Sequence, residues 1–165
     1  MIKAIVYQSK TGHTQEYAES LSKELKIPCY SVRDAKEKVK KKEEIIYLSW
    51  VRATSFVGYK KMNKKYQICC VGAVGAYPKS TEYIEKLKTY NHIRQELFYL
   101  RGGINYENLN KFYQKLLKIV GRAIAMENPR DKAMIQLFMV GGNFVNKKQL
   151  KPMIEYVLER RGCDE

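Results

Sequence analysis

A chain of 165 residues is long enough to bury a core without disulfide staples, and its 45% hydrophobic and 29% charged residues argue against bulk disorder. No apolar run approaches the roughly 20 residues that span a bilayer, and the N-terminal apolar stretch is too short for a signal peptide, so a cytoplasmic location is expected. The formal net charge of +14 bears on partners rather than on fold: acidic proteins, anionic lipid surfaces, anionic small molecules and nucleic acids all suit it.

The elements alternate between short apolar strands and amphipathic helices. Residues 2–7 read as a strand and 14–25 as a helix with Tyr17, Ala18, Leu21 and Leu25 on one face. Pro28 separates these from a second strand at 29–32, and a basic, partly helical segment follows. Residues 45–50 and 68–73 are the third and fourth strands, with a helix expected over 56–65 between them. A helix over 79–87 opens on Ser80 and Thr81, which suit an N-cap, and 96–100 is the fifth strand. Strands one, three and four are continuous apolar runs, as the middle strands of a parallel sheet covered on both faces would be. The expected fold is therefore α/β, a doubly wound five-stranded parallel sheet of order 2-1-3-4-5.

After Gly102-Gly103 the rhythm changes, and residues 104–146 read as a helical insertion after strand five within one domain spanning 1–165. A long helix over 108–126 places Leu109, Phe112, Tyr113, Leu116, Val120 and Ala123 on its apolar side, opposite Lys111, Lys115, Lys118 and Arg122. Residues 132–140 are ambiguous between helix and strand, and 141–143 form a turn. The last helix is expected over 149–160, with Ile154, Val157 and Leu158 inward and Gly162 past its end.

Four cysteines, Cys29, Cys69, Cys70 and Cys163, contain no CxxC pair, and only two histidines accompany them, which argues against a zinc site. Cys69 and Cys70 lie in an apolar run and are expected to be reduced and buried. No nucleophilic triad or paired-carboxylate pattern stands out.

The segment between the first strand and the first helix carries the chemistry. In Ser9-Lys10-Thr11-Gly12-His13-Thr14, three hydroxyls are spaced so that a curled loop turns them toward one phosphate. Gly12 lets the backbone turn sharply, and the N–H groups entering the helix add donors and the positive end of its dipole. The loop is neither a Walker A sequence nor a GxGxxG fingerprint. His13 is expected at its edge, partly exposed.

That hexamer after Ile5-Val6-Tyr7 resembles the [TS]-x-T-G-x-T signature of flavodoxins. The resemblance implies FMN as cofactor, with Ser9, Lys10, Thr11, Gly12, His13 and Thr14 at its phosphate. It also implies that the loops after strands three and four flank the flavin ring. Those loops are residues 49–55 and 72–78, with Trp50, Val51, Arg52, Ala53, Gly75, Ala76 and Tyr77 as the implied cofactor contacts and Trp50 and Tyr77 as the ring-stacking candidates; Trp50 pointing into the core is the alternative. The part after strand five resembles, more loosely, the branch that includes the menaquinone-dependent protoporphyrinogen oxidases, which act on quinones at a membrane surface.

These readings lead to an FMN protein carrying out electron transfer or a small flavin-dependent oxidoreductase reaction, with a redox protein, quinone or small molecule as partner. A protoporphyrinogen oxidase-like dehydrogenase and a basic module for nucleic acid or anionic surfaces are the alternatives. No RNP, helix-turn-helix or zinc-finger signature supports specific nucleic-acid binding. For the helix over 108–126, docking on its own sheet is the first expectation; contact with a membrane surface through its lysines and a wall over the flavin are the others. Arg52 and Arg101 sit at strand ends, where solvent or an anion is the expected neighbour.

Overall fold

In the computed structural model, which describes residues 1–162, five parallel strands form an open sheet. They are β1 (Ala4–Gln8), β2 (Cys29–Ser31), β3 (Glu44–Arg52), β5 (Gln67–Gly75) and β6 (Glu96–Arg101), with a two-residue strand β4 (Ser55–Phe56) folded back on β3. The order across the sheet is β2-β1-β3-β5-β6. With the β4 flap set aside, this is the doubly wound 2-1-3-4-5 arrangement. The first strand begins two residues later than expected, where pairing with β3 begins.

The continuous apolar runs are explained by helices on both faces of the middle strands. Along β3, Ile45 and Tyr47 face one core while Ile46 and Leu48 face the other. The first core is closed by α3 (Tyr59–Lys65) and α4 (Thr81–Asn91) through Tyr59, Met62 and Leu87. The second is closed by α1 (His13–Leu25) and α7 (Lys151–Gly162) through Tyr17, Leu21, Met153 and Val157. Between β2 and β3 lies only one helical turn, α2 (Ala35–Lys38). Ser80 caps α4, its hydroxyl accepting from the Tyr83 N–H at 3.2 Å. Cys69 and Cys70 are buried in β5; Cys163 lies outside the described residues.

Three expectations are corrected. Phe56 is not in a helix: β3 runs on to Arg52, turns through Ala53 (φ +55°), and returns so that Val51 pairs with Phe56. The Phe56 N–H donates to Asn91 Oδ1 at 2.8 Å and its ring is buried beside Tyr47, so α3 starts only at Tyr59. Gly162 belongs to α7, and Leu158 is exposed rather than inward.

The third concerns the helix α5 (Lys111–Glu127), which packs on α6 (Lys132–Val140) rather than on the sheet. Leu117, Val120 and Ile124 meet Met134, Leu137 and Phe138 in a small separate core. At the crossing, a Cβ on Gly121 would lie 3.0 Å from Met139 Sδ and 3.1 Å from Phe138 Cβ, so a larger residue would make α6 give by a few tenths of an ångström. Phe112, Leu116, Ile119 and Met126 stay exposed, because the apolar arc of α5 is wider than the surface α6 covers. Residues 132–140, ambiguous in sequence, are helical. The excursion leaves and returns through a short antiparallel ribbon, β7 (Gly103–Ile104) with β8 (Gly142–Asn143).

Candidate functional site

The hydroxyl loop emerges at the carboxyl end of β1 and runs directly into α1. The Ser9 hydroxyl accepts from the Gly12 N–H at 3.2 Å, and Gly12 takes φ +102° with no atom within 4 Å of where a Cβ would stand. A left-handed residue is thus needed to turn the chain, and the space above it is open. Thr14, in the first turn of α1, is 2% exposed. His13 is buried, contrary to expectation: its Cβ packs against Gly102, the residue after β6. Burial pushes its imidazole pKa down, and Glu16 opposes that shift.

The two later loops converge on the same end of the sheet. The Tyr83 hydroxyl on α4 donates to the Ala53 carbonyl at 3.2 Å, and its ring lies 5.4 Å from that of Tyr77. The Tyr99 hydroxyl on β6 donates to the Tyr77 carbonyl at 2.8 Å, and burial raises the pKa of the Tyr99 phenol well above its ordinary value. One tyrosine from a helix and one from a strand therefore hold both loops. Tyr77 sits between Tyr83 and Phe138, its ring 5.8 Å from the latter.

Together these segments line a cleft of about 300 Å³. Lys10, Thr11, His13, Thr14, Trp50, Val51, Arg52, Ala53, Gly75, Ala76 and Tyr77 all reach it; Ser9 and Gly12 shape the loop without lining it. Trp50 is half-buried and faces the cleft rather than the core. The far wall is the excursion: Ile104, Tyr113, Leu117, Val120 and Phe138, joined by Tyr83 from α4. The long helix thus packs on α6 and lines the cleft with one part of its surface. Tyr83 and Phe138 carried no sequence signal, since only the tertiary arrangement brings them to strand ends.

The cleft is mostly apolar with a cationic edge. No Asp or Glu lines it. Lys10 Nζ lies 3.3 Å from the centroid of the Tyr113 ring and 5.5 Å from that of Trp50, a distance range suited to cation–π attraction. The nearby positive charges of Lys10 and then Arg52 hold the Tyr113 phenol pKa below the usual tyrosine value. Arg101 does not join them: its Nε donates to the Ala76 carbonyl at 3.2 Å and its guanidinium lies 3.7 Å from the Phe144 ring centroid.

Residues 4–131 match the family described as the flavodoxin domain. No curated protein matches the chain. Most of the length, including the sheet and all three loops of the cleft, lies within the matched span, and the strand order agrees. The chain belongs to the flavodoxin-domain family.

Proposed function

We propose that this protein binds FMN in the cleft and uses it as a flavin-dependent oxidoreductase. One observation carries the reading: the hydroxyl loop at the entry of α1 opens into the same cleft as the two aromatic loops. The donor set fits the group. Hydroxyls and helix-entry N–H groups suit a phosphate dianion, and the open space at Gly12 leaves room for its oxygens. The aromatic faces of Trp50 and Tyr77, with the apolar wall, suit a planar ring. FMN supplies the electron chemistry when bound; the protein's part is to hold, orient and tune it. In that role Thr11 and Thr14 bind phosphate, Trp50 and Tyr77 orient the ring, and α5 with α6 limits water over it.

The test is a titration of purified protein with FMN, followed by fluorescence and visible absorption. Saturable binding with a shifted flavin spectrum is expected. A colourless protein that leaves FMN fluorescence unchanged overturns the reading.

A second, more specific reading is a quinone-linked dehydrogenase working at a bilayer surface. The observation favouring it is the row Phe112, Leu116, Ile119 and Met126, exposed along one face of α5 beside Lys111, Lys115, Lys118 and Arg122. An amphipathic helix of that kind suits the interface of an anionic bilayer. Among the described residues no helix is long and apolar enough to cross a membrane. Cosedimentation with phosphatidylglycerol vesicles, lost in Ile119→Ser, supports this reading; equal recovery in the supernatant with and without vesicles removes it.

A further inference from the structure

The charge around the cleft has a consequence for the ring itself. Among the cleft-lining residues the only cationic side chains are Lys10 and Arg52, and there is no carboxylate to offset them. His13, the other basic group there, is shifted by burial toward its neutral form. Glu16, which acts on His13 from the first turn of α1, is exposed and does not line the cleft. The salt bridges formed among the described residues join Met1 and Arg160 to Glu44, and Lys151 to Glu155, so neither Lys10 nor Arg52 is neutralised by an acid.

The fold sets where their backbones stand, and both side chains are exposed at the cleft edge. Lys10 is exposed, with its Nζ 3.3 Å from the Tyr113 ring centroid and 5.5 Å from that of Trp50. Arg52 is the last residue of β3, and its backbone is held by pairing with Ser55 across the hairpin. Lys10, Arg52 and Tyr113 line the same cleft as the two aromatic loops. A charge at the edge of an apolar cleft has low-dielectric surroundings on one side only, so it acts on a new neighbouring charge more strongly than in bulk water but less strongly than a buried charge.

We propose that Lys10 and Arg52 stabilise the negative charge that the flavin ring gains on two-electron reduction, making this a site that accepts electrons readily rather than one built to donate them at low potential. The proposal rests on the FMN reading above. It assigns the protein to substrate oxidation rather than to electron carriage, and gives Lys10 and Arg52 the tuning role.

Sulfite is the probe. Its sulfur lone pair forms a bond to N5 of the oxidised ring, and the displaced ring electron pair becomes a negative charge at the pyrimidine end. No group leaves and no other oxidant is needed. Adduct stability therefore reports how well the site supports an anionic ring, apart from any turnover. FMN-loaded protein is titrated with sulfite by bleaching of the long-wavelength flavin band, and its midpoint potential is measured alongside. Lys10→Gln and Arg52→Gln each weaken sulfite binding about tenfold and lower the potential, whereas Lys10→Arg and Arg52→Lys retain both.

Should the glutamine variants lose FMN, the midpoint potential of the unmutated protein at rising salt carries the test. Lys10 and Arg52 are exposed, so salt screens them and the potential falls as ionic strength rises. Sulfite affinity unchanged in the glutamine variants, or a potential that does not fall with salt, overturns the proposal while leaving FMN binding intact. Failure of the arginine and lysine exchanges to retain affinity also overturns it, by tracing the effect to shape. A wild-type protein that takes up no FMN overturns the flavin reading itself, and this one with it.

Discussion

The Asn108 side-chain amide donates to the Thr11 carbonyl at 3.2 Å, joining the start of the helical excursion to the hydroxyl loop across 97 positions of sequence. The contact is exposed, so its net worth is about 1 kcal/mol. If FMN leaves past this junction, Asn108→Ala speeds its release by about threefold to tenfold with little change in thermal stability. Stopped-flow displacement of bound FMN by excess riboflavin phosphate analogue measures this. An unchanged release rate means the excursion does not retain the cofactor.

Thr14 offers a cleaner test of the loop. It is buried at the entry of α1, and valine matches its shape without the hydroxyl. Thr14→Val weakens FMN binding about tenfold, since a hydrogen bond to a charged partner contributes roughly 1.5–3 kcal/mol. Fluorescence titration reads the affinity. Equal affinity for both proteins shows that this hydroxyl does not meet the phosphate.

The burial of His13 makes stability depend on pH in the acidic direction. Its pKa in the fold lies below the ordinary 6.5, so between those two values the unfolded chain binds more protons than the native one. The stabilising contribution is complete above about pH 6.5 and declines as pH falls toward the folded-state value. Urea midpoints measured from neutral pH downward should fall more steeply in the wild type than in His13→Asn. Parallel curves would rule His13 out as a source of the slope.

Tyr17 links three segments through one hydroxyl. It donates to the Arg101 carbonyl at 2.6 Å and accepts from the Asn146 N–H at 3.1 Å and from Gln149 Nε2 at 2.8 Å. Tyr17→Phe leaves these partners in a largely buried setting and destabilises the fold by about 2 kcal/mol. Equilibrium urea unfolding checks the value, and an unchanged midpoint would show that water replaces the hydroxyl without loss.

The phenol of Tyr113 titrates below the usual tyrosine range because Lys10, then Arg52, favours its anion. Carbon NMR of labelled tyrosine Cζ, assigned by the signal lost in Tyr113→Phe, follows this without cofactor. In Lys10→Gln the titration moves up. A phenol that titrates identically in both proteins shows that the lysine does not hold this position in solution.

Much of the sheet was legible in the sequence because of burial on two sides. Ala4-Ile5-Val6, Ile45-Ile46-Tyr47-Leu48 and Ile68-Cys69-Cys70-Val71 have no polar alternation, and only middle strands under helices on both faces need such runs. The hydroxyl loop was legible for a local reason as well. Its residues are contiguous, and a strand-to-helix turn at the carboxyl end of β1 places them at a switch point whatever the rest of the chain does.

The rest depended on contacts between distant residues. The β4 flap is two residues long, too short to leave a periodic pattern, and it exists because Asn91, 35 positions away, accepts the Phe56 N–H. His13 is buried by Gly102, and Tyr83 reaches the cleft because α4 lies over the loops after β3 and β5. For α5, periodicity established an amphipathic helix but not its partner, since an apolar arc wider than one contact surface can turn several ways. The close approach of Gly121 to Phe138 and Met139 selects one of them. The hydroxyl loop and the middle strands were thus written in local sequence, whereas the covered, cationic cleft arises only where α5, α6 and the three loops meet, because residues far apart in the chain supply its walls.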